Sequence, residues 1–348
     1  MNNVSLSSKR YETADAFSAI ELCYQQGWTD GLPVVPPTEK RVREFLDYVG
    51  MEPGHILGRV PERARTVTAE KVAINALMAG CTPEYLPVVL AVVEAICEEK
   101  FNAHGSSVST GGSAHLVIAN GPVRQKLSMN TGVNFFGPGN RANATIGRAV
   151  RLIAMNVLGS TPGVMDKSTI GHPGKYTYCV AENEEASPWE PLHVEKGFAR
   201  ESSTVTVINA EGPHQIYDHT NNTGEGILTS VAEYIAVCNY DYRELVVVLC
   251  PEHVGYLKAE GWNKQRVKAF LFQHAQRTVA YYKRTGKMPG PLDPSDEAKM
   301  QAALHGPEAV TVIVGGGGAG GFSAIIPTWG RGGISRTQTR EIHLGKTA

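Results

Sequence analysis

Apolar residues recur at helical spacing in three stretches of the chain: Thr13–Gln26, Glu39–Val49, and Arg141 to Leu158, where Ile146, Val150, Ile153, Ala154 and Val157 form one stripe. That period predicts helices with one face in a core. A second pattern has no period. Glu244–Cys250 and Ala309–Val314 are continuous apolar runs, which predict strands buried on both faces and therefore parallel ones. Ser203–Asn209 alternates and reads as a strand, and Ala114–Ala119 reads as another. Helices are expected over Gly226–Asn239, Asn263–Val279 and about Asp296–His305. The most apolar stretch, Ala73–Ile96, consists of two halves joined at Gly80-Cys81-Thr82-Pro83, and its second half is apolar all round. Strands alternating with helices predict an α/β fold, layered around a mainly parallel sheet. The order strand, Cys250, Pro251, Glu252, helix echoes Cys81-Thr82-Pro83-Glu84 and suggests two related α/β halves. The expected division is an N-terminal α/β half (1–160) with the Cys81 turn, an irregular loop-rich segment (161–200), and a C-terminal α/β half (201–348) with a glycine-rich loop.

Charge narrows the partners. Lys and Arg number 33 against 34 Asp and Glu, a net charge of -1, so no field attracts nucleic acid or an anionic membrane. A small molecule or a second copy of the chain is the expected partner. No apolar run approaches the roughly 18 residues of a membrane span, and Met1–Arg10 lacks a signal-peptide core, which points to a soluble, cytoplasmic protein. The six cysteines are scattered without a Cys-x-x-Cys pair, so reduced thiols are expected rather than a zinc ribbon or a disulfide scaffold. No short metal-ligand spacing such as His-Glu-x-x-His occurs, so no metal ligands are assigned, and the sequence names no cofactor.

Candidate chemistry collects at a few points. Cys81 lies at the join of an apolar segment and a helix, where the helix dipole would draw a thiol toward thiolate; the competing reading is a small buried hydrophobe. His104 is the one titratable group in the small-residue stretch Asn102–Ser113, read as a loop. Asn140 suits an N-cap, and the amides behind it, with Arg141, would hold an anion. The segment Pro162–Phe198 is dense in chemistry, with His172, Glu182 and Glu184, and it reads as an active-site wall or an oligomer contact through Trp189 between Pro188 and Pro191. The run Gly315–Gly321 formally matches a dinucleotide fingerprint, but no long helix follows before Pro327, so the βαβ unit is missing. Its residues Gly316, Gly317, Gly318, Gly320 and Gly321 instead read as a cradle of free amides for an anion.

Gly31-Leu32-Pro33-Val34-Val35-Pro36-Pro37-Thr38, the Cys81 turn, Arg141–Arg148, Glu182-Asn183-Glu184-Glu185 with Ser187-Pro188-Trp189, and Pro251-Glu252-His253 together resemble a bacterial α/β group labelled thiol-disulfide oxidoreductase or UGSC-like. That group is distantly similar to the selenoprotein B subunits of glycine, betaine and D-proline reductases. The resemblance implies chemistry at Cys81. Those reductases use a selenocysteine and a nearby cysteine, whereas Ala79-Gly80-Cys81 offers one thiol, which does not release a product as an internal disulfide. The leading expectation is therefore a cysteine-dependent lyase or reductase-like enzyme acting on a small, anionic organic substrate and assembled as a homo-oligomer. In it Cys81 is the thiolate nucleophile, His104 or His172 carries the proton, Glu182 or Glu184 orients that imidazole, and Arg141 or the glycines hold the substrate. The alternatives are a metal-dependent hydrolase or hydratase using histidines and carboxylates, and a non-catalytic ligand-binding subunit.

Overall fold

The structure, a computed structural model, describes residues 5–330 and 333–344. Residues 1–4 of the polar N-terminal stretch lie outside them. The helices, in chain order, are α1 Ala16–Gln25, α2 Glu39–Val49, α3 Ala69–Ala79, α4 Leu86–Ile96, α5 Ala103–Val108, α6 Val123–Lys126, α7 Arg141–Asn156, α8 Leu192–Glu195, α9 Gly224–Cys238, α10 Pro251–Ala259, α11 Lys264–His274 and α12 Val279–Arg284. The strands are β1 Ile56–Val60, β2 Arg65–Thr68, β3 Ala114–Asn120, β4 Cys179–Ala181, β5 Thr204–Ala210, β6 His214–Tyr217, β7 Leu245–Leu249, β8 Gln276–Thr278, β9 Met300–Ala302, β10 Val310–Val314, β11 Phe322–Pro327 and β12 Gln338–Glu341. None of the described helices is long and apolar enough to cross a membrane.

An α/β fold is present, but its sheets are mixed rather than mainly parallel. One four-stranded sheet has the order β12-β5-β3-β4 and the other β10-β7-β11-β6. In the first only β3 and β4 are parallel, and in the second only β7 and β10. The physical reason lies in what covers the strands. Helices α2, α3, α4 and α7 pack with Val117, Ala119, Val205 and Val207 of the first sheet, and α9, α10 and α11 pack with Val247, Leu249, Val312 and Ile325 of the second. The opposite faces meet each other: Leu116, Ile118 and Ile208 share a core with Val246, Val248, Ile313 and Ile326. An unbroken apolar run reports burial on both faces; here a second sheet supplies the second face, so the run carries no information on direction.

Each sheet has the same plan, a parallel pair continued by two antiparallel strands. The chain exchanges the last strand of each: β6, which follows β5, pairs with β11, and β12, which follows β11, pairs with β5. The first sheet thus draws strands from all three expected segments, and the irregular 161–200 segment contributes β4.

Several local expectations hold for stated reasons. Thr38 caps α2 through the Arg41 amide and Asn140 caps α7 through the Asn143 amide. Gly80 ends α3 at φ 94, a left-handed conformation that suits glycine. Others fail. Part of the small-residue stretch Asn102–Ser113 is helix α5, because the Asn102 side chain caps it at the Gly105 amide. The expected helix at Asp296–His305 is instead a 3-10 turn, Pro294–Glu297, followed by β9. Trp189 is half-buried, its indole N–H donating to the Trp262 carbonyl at 2.7 Å.

Candidate active site

β7 and β10 are parallel neighbours that end together at Leu249 and Val314, so the residues after them are delivered side by side. The Gly315 amide donates to the Leu249 carbonyl at 3.1 Å. After Leu249 the chain turns at once into α10, with Cys250 at the N-cap in extended conformation and Pro251 in the first turn, where a missing N–H costs nothing. One short turn on, His253 returns over this point, and antiparallel β11 brings Ser323 to it from the other side.

Ser323 is the centre of the arrangement. Its Oγ accepts from the Cys250 amide (3.1 Å), lies 2.7 Å from His253 Nδ1 and 3.7 Å from Cys250 Sγ. His253 Nε2 is 2.9 Å from the Asp218 carbonyl oxygen. A carbonyl only accepts, so Nε2 bears a proton, and in the neutral ring Nδ1 is then the acceptor for the Ser323 hydroxyl. The Cys250 N–H takes a Ser323 lone pair; once Nδ1 also carries a proton it donates to the other, and the hydroxyl's own hydrogen goes to Cys250 Sγ, 3.7 Å away. The chain of atoms runs from sulfur through the hydroxyl to the imidazole, and Cys250, Ser323 and His253 are each 3 % exposed or less.

Electrostatics follow this geometry. Burial alone would raise the Cys250 thiol, but its interactions with the His253 ring and amide and with Ser323 outweigh burial and hold it below its ordinary value. Burial would lower His253, and its interactions with Cys250 and the Asp218 carbonyl carry it above the usual imidazole range instead. Both directions favour a thiolate beside an imidazolium.

The glycine run borders the same place. Gly316 and Gly320 have φ of 108 and 104, and the Gly320 amide donates to Glu252 Oε2 at 2.6 Å. A side chain at Gly321 would collide with the Asp218 carbonyl and come within 3.0 Å of His253 Nε2, so only glycine lets that carbonyl reach the ring. Among the described residues the amides of Gly317, Gly318 and Ala319 make no hydrogen bond. Beside the run, Tyr217, His219 and Phe322 form an aromatic group, with His219 4.7 Å from each of the other two rings and Tyr217 and Phe322 exposed.

The other expected residues lie elsewhere. Cys81 is buried and pushed up to about 12 by that burial, which corrects the expectation of a lowered thiol. The reason is local: Pro83–Tyr85 forms a 3-10 turn, α4 starts only at Leu86, and apolar packing removes water from the sulfur. Arg141, expected to hold substrate, gives both Nε and Nη2 to the Gly80 carbonyl at 3.1 and 3.0 Å. His104 Nδ1 accepts from Arg63 Nε at 3.2 Å, and His172 is engaged at both ring nitrogens by the Gly174 amide and the Ala210 carbonyl. Glu182 and Glu184 orient neither histidine. They share the Asn120 amide group, at 2.6 and 3.1 Å, in a buried cluster where Arg124 pairs with Glu184 and Glu185. Burial raises Glu182, which is 0 % exposed. The Asn183 amide ties this turn to the Val314 carbonyl at 2.8 Å, at the carboxyl end of β10.

Sequence reasoning singled out the glycine run and the Pro251-Glu252-His253 turn but gave no role to Cys250, Ser323 or Asp218, which the fold sets beside them. The repeated Cys-Pro-Glu order was the available signal for Cys250. Among the described residues no three His, Cys, Asp or Glu side chains converge in a group able to hold a metal ion. No family profile, curated protein or solved structure matches the chain.

Proposed function

We propose that the chain is an enzyme that acts on a small, anionic organic molecule through Cys250, rather than Cys81, as a thiolate nucleophile. His253 holds the thiol's proton, received through Ser323, and returns it to the departing group. The Asp218 carbonyl fixes the ring's tautomer, and the amides of Gly317–Ala319 with the N-terminus of α10 bind the substrate's negative charge. The observation that carries this reading is the Ser323 hydroxyl, 2.7 Å from Nδ1 and 3.7 Å from sulfur. A single thiol without a partner at this site favours a lyase or thiol-transfer step over reduction. The shared plan of the two sheets supports two related halves with exchanged end strands, of which the second carries the thiol site.

Two alkylating reagents of equal reach test the proposal without knowledge of the substrate. Iodoacetate is anionic and iodoacetamide neutral, and modification is read at each cysteine by peptide mass spectrometry. A thiolate beside an anion cradle reacts with iodoacetate faster, relative to iodoacetamide, than the half-buried Cys97 and Cys238 do. Equal preference at all three sites, or no reaction at Cys250 in the folded protein, contradicts the reading.

A further inference from the structure

At the opposite end of β3 from Asn120, a half-enclosed cavity of about 20 Å³ opens between α5, β3 and α7. The enclosed part is close to the room of one ordered water, and the cavity is open to solvent on one side, so a larger guest reaches into it from the mouth. Arg151 and Lys175 line it and share one carboxylate, Asp166, at 3.3 and 2.7 Å. Arg63 stands behind it, its guanidinium spent on neutral acceptors, among them His104 Nδ1, the Leu158 carbonyl and Ser107. Further out, Arg65 and Glu62 oppose each other in their effect on Arg63, and Arg148 is paired with Asp30. Arg151 and Lys175 with their shared Asp166 therefore leave an excess of about one positive charge at the cavity, with Arg63 behind it, and such an excess is costly away from water unless a counter-charge offsets it.

The neutral groups are also arranged for an acceptor. Ser106, Ser113 and Ser160 each direct a hydroxyl toward a backbone carbonyl at 3.4 Å, long for an O–H donor, so each is free to turn toward a better acceptor. The His115 ring makes no hydrogen bond among the described residues and faces the same space. Burial and then the neighbouring cations push it down to about 3, so it presents a neutral ring with one N–H to give.

We propose that this cavity binds a compact oxyanion of the size of inorganic phosphate or sulfate, gripped by Lys175 and Arg151 and by serine hydroxyls. It is separate from the Cys250 site and does not depend on it. Calorimetric titration of the full-length protein with inorganic phosphate, with chloride as the control anion, reads the binding directly. One site per chain is expected, weakened at least tenfold in Lys175→Gln and several-fold in Ser113→Ala, whose small change leaves Tm near that of the unaltered protein. Because Lys175→Gln also breaks the pair with Asp166, Ser113→Ala keeps the test decisive if the first variant is poorly folded. Absence of binding at millimolar phosphate, or binding unchanged in both variants, overturns the proposal. Phosphate that slows Cys250 alkylation instead places the ion at the glycine run and overturns it as well.

Discussion

Replacing Ser323 by alanine removes one oxygen and strands two buried groups, the Cys250 amide 3.1 Å away and His253 Nδ1 2.7 Å away. A buried polar group left unsatisfied costs about 1–3 kcal/mol, so the variant should lose on the order of 2–4 kcal/mol after partial relaxation. With an unfolding entropy of about 2.1 cal/mol/K per residue, a chain of 348 residues changes Tm by roughly 3–6 °C for that loss. Calorimetry measures this shift. The second consequence is chemical: the Ser323 hydroxyl no longer lowers the Cys250 thiol, and the pH midpoint of its alkylation should rise, by less than on loss of His253, whose ring and amide lower the thiol more. A serine that merely packs would give neither effect. An unchanged Tm together with an unchanged Cys250 midpoint would refute the argument that Ser323 links thiol and ring.

Cys81→Ser should cost about 1–3 kcal/mol, because it buries a hydroxyl among apolar neighbours, while the alkylation profile of Cys250 stays as it was; paired calorimetry and labelling show both. Gly321→Ala should destabilise the fold and raise the Cys250 midpoint, since its new methyl collides with the Asp218 carbonyl, whereas Gly318→Ala, with open space around the added carbon, should change neither. Asp166 should contribute to acid stability: burial would raise it, but bonds from Lys175 and Ser168 hold it at about 2 against an ordinary 3.8. A depressed carboxylate stabilises above its unfolded value, so this contribution is present above pH 3.8 and lost as pH falls through about 2; Lys175→Met should move the acid-unfolding midpoint upward, measured by circular dichroism.

The bounds of α2 and the caps Thr38 and Asn140 were readable because helix period and capping chemistry are local. So were β5, β7 and β10 as strands. Direction was not, because Val246–Leu249 and Val310–Val314 state only that both faces are dry, and a sheet or a helix dries a face equally well. The exchange of β6 and β12 depends on pairings more than 100 residues apart, such as Ile216 with Ser323, which no local pattern encodes. Cys81 drew attention because its surroundings look like a helix start, yet what sets a thiol's pKa is the balance of desolvation against polar partners. Cys250 sits at an equally plain strand-to-helix turn. Its partner Ser323 comes from 73 residues later, and the Asp218 carbonyl that holds the His253 ring comes from 35 residues before that histidine.

Of the six cysteines, the proposed enzyme activates one, Cys250. Site-resolved alkylation of the unaltered protein across pH measures this directly, because each cysteine reports its own midpoint in the same molecule. Cys250 is expected to react with a midpoint below about 8.5 that His253→Asn moves upward, while Cys81 and Cys179 stay unreactive at neutral pH. Cys81 reacting ahead of Cys250 at neutral pH, or a Cys250 midpoint unmoved by loss of His253, would contradict the proposal.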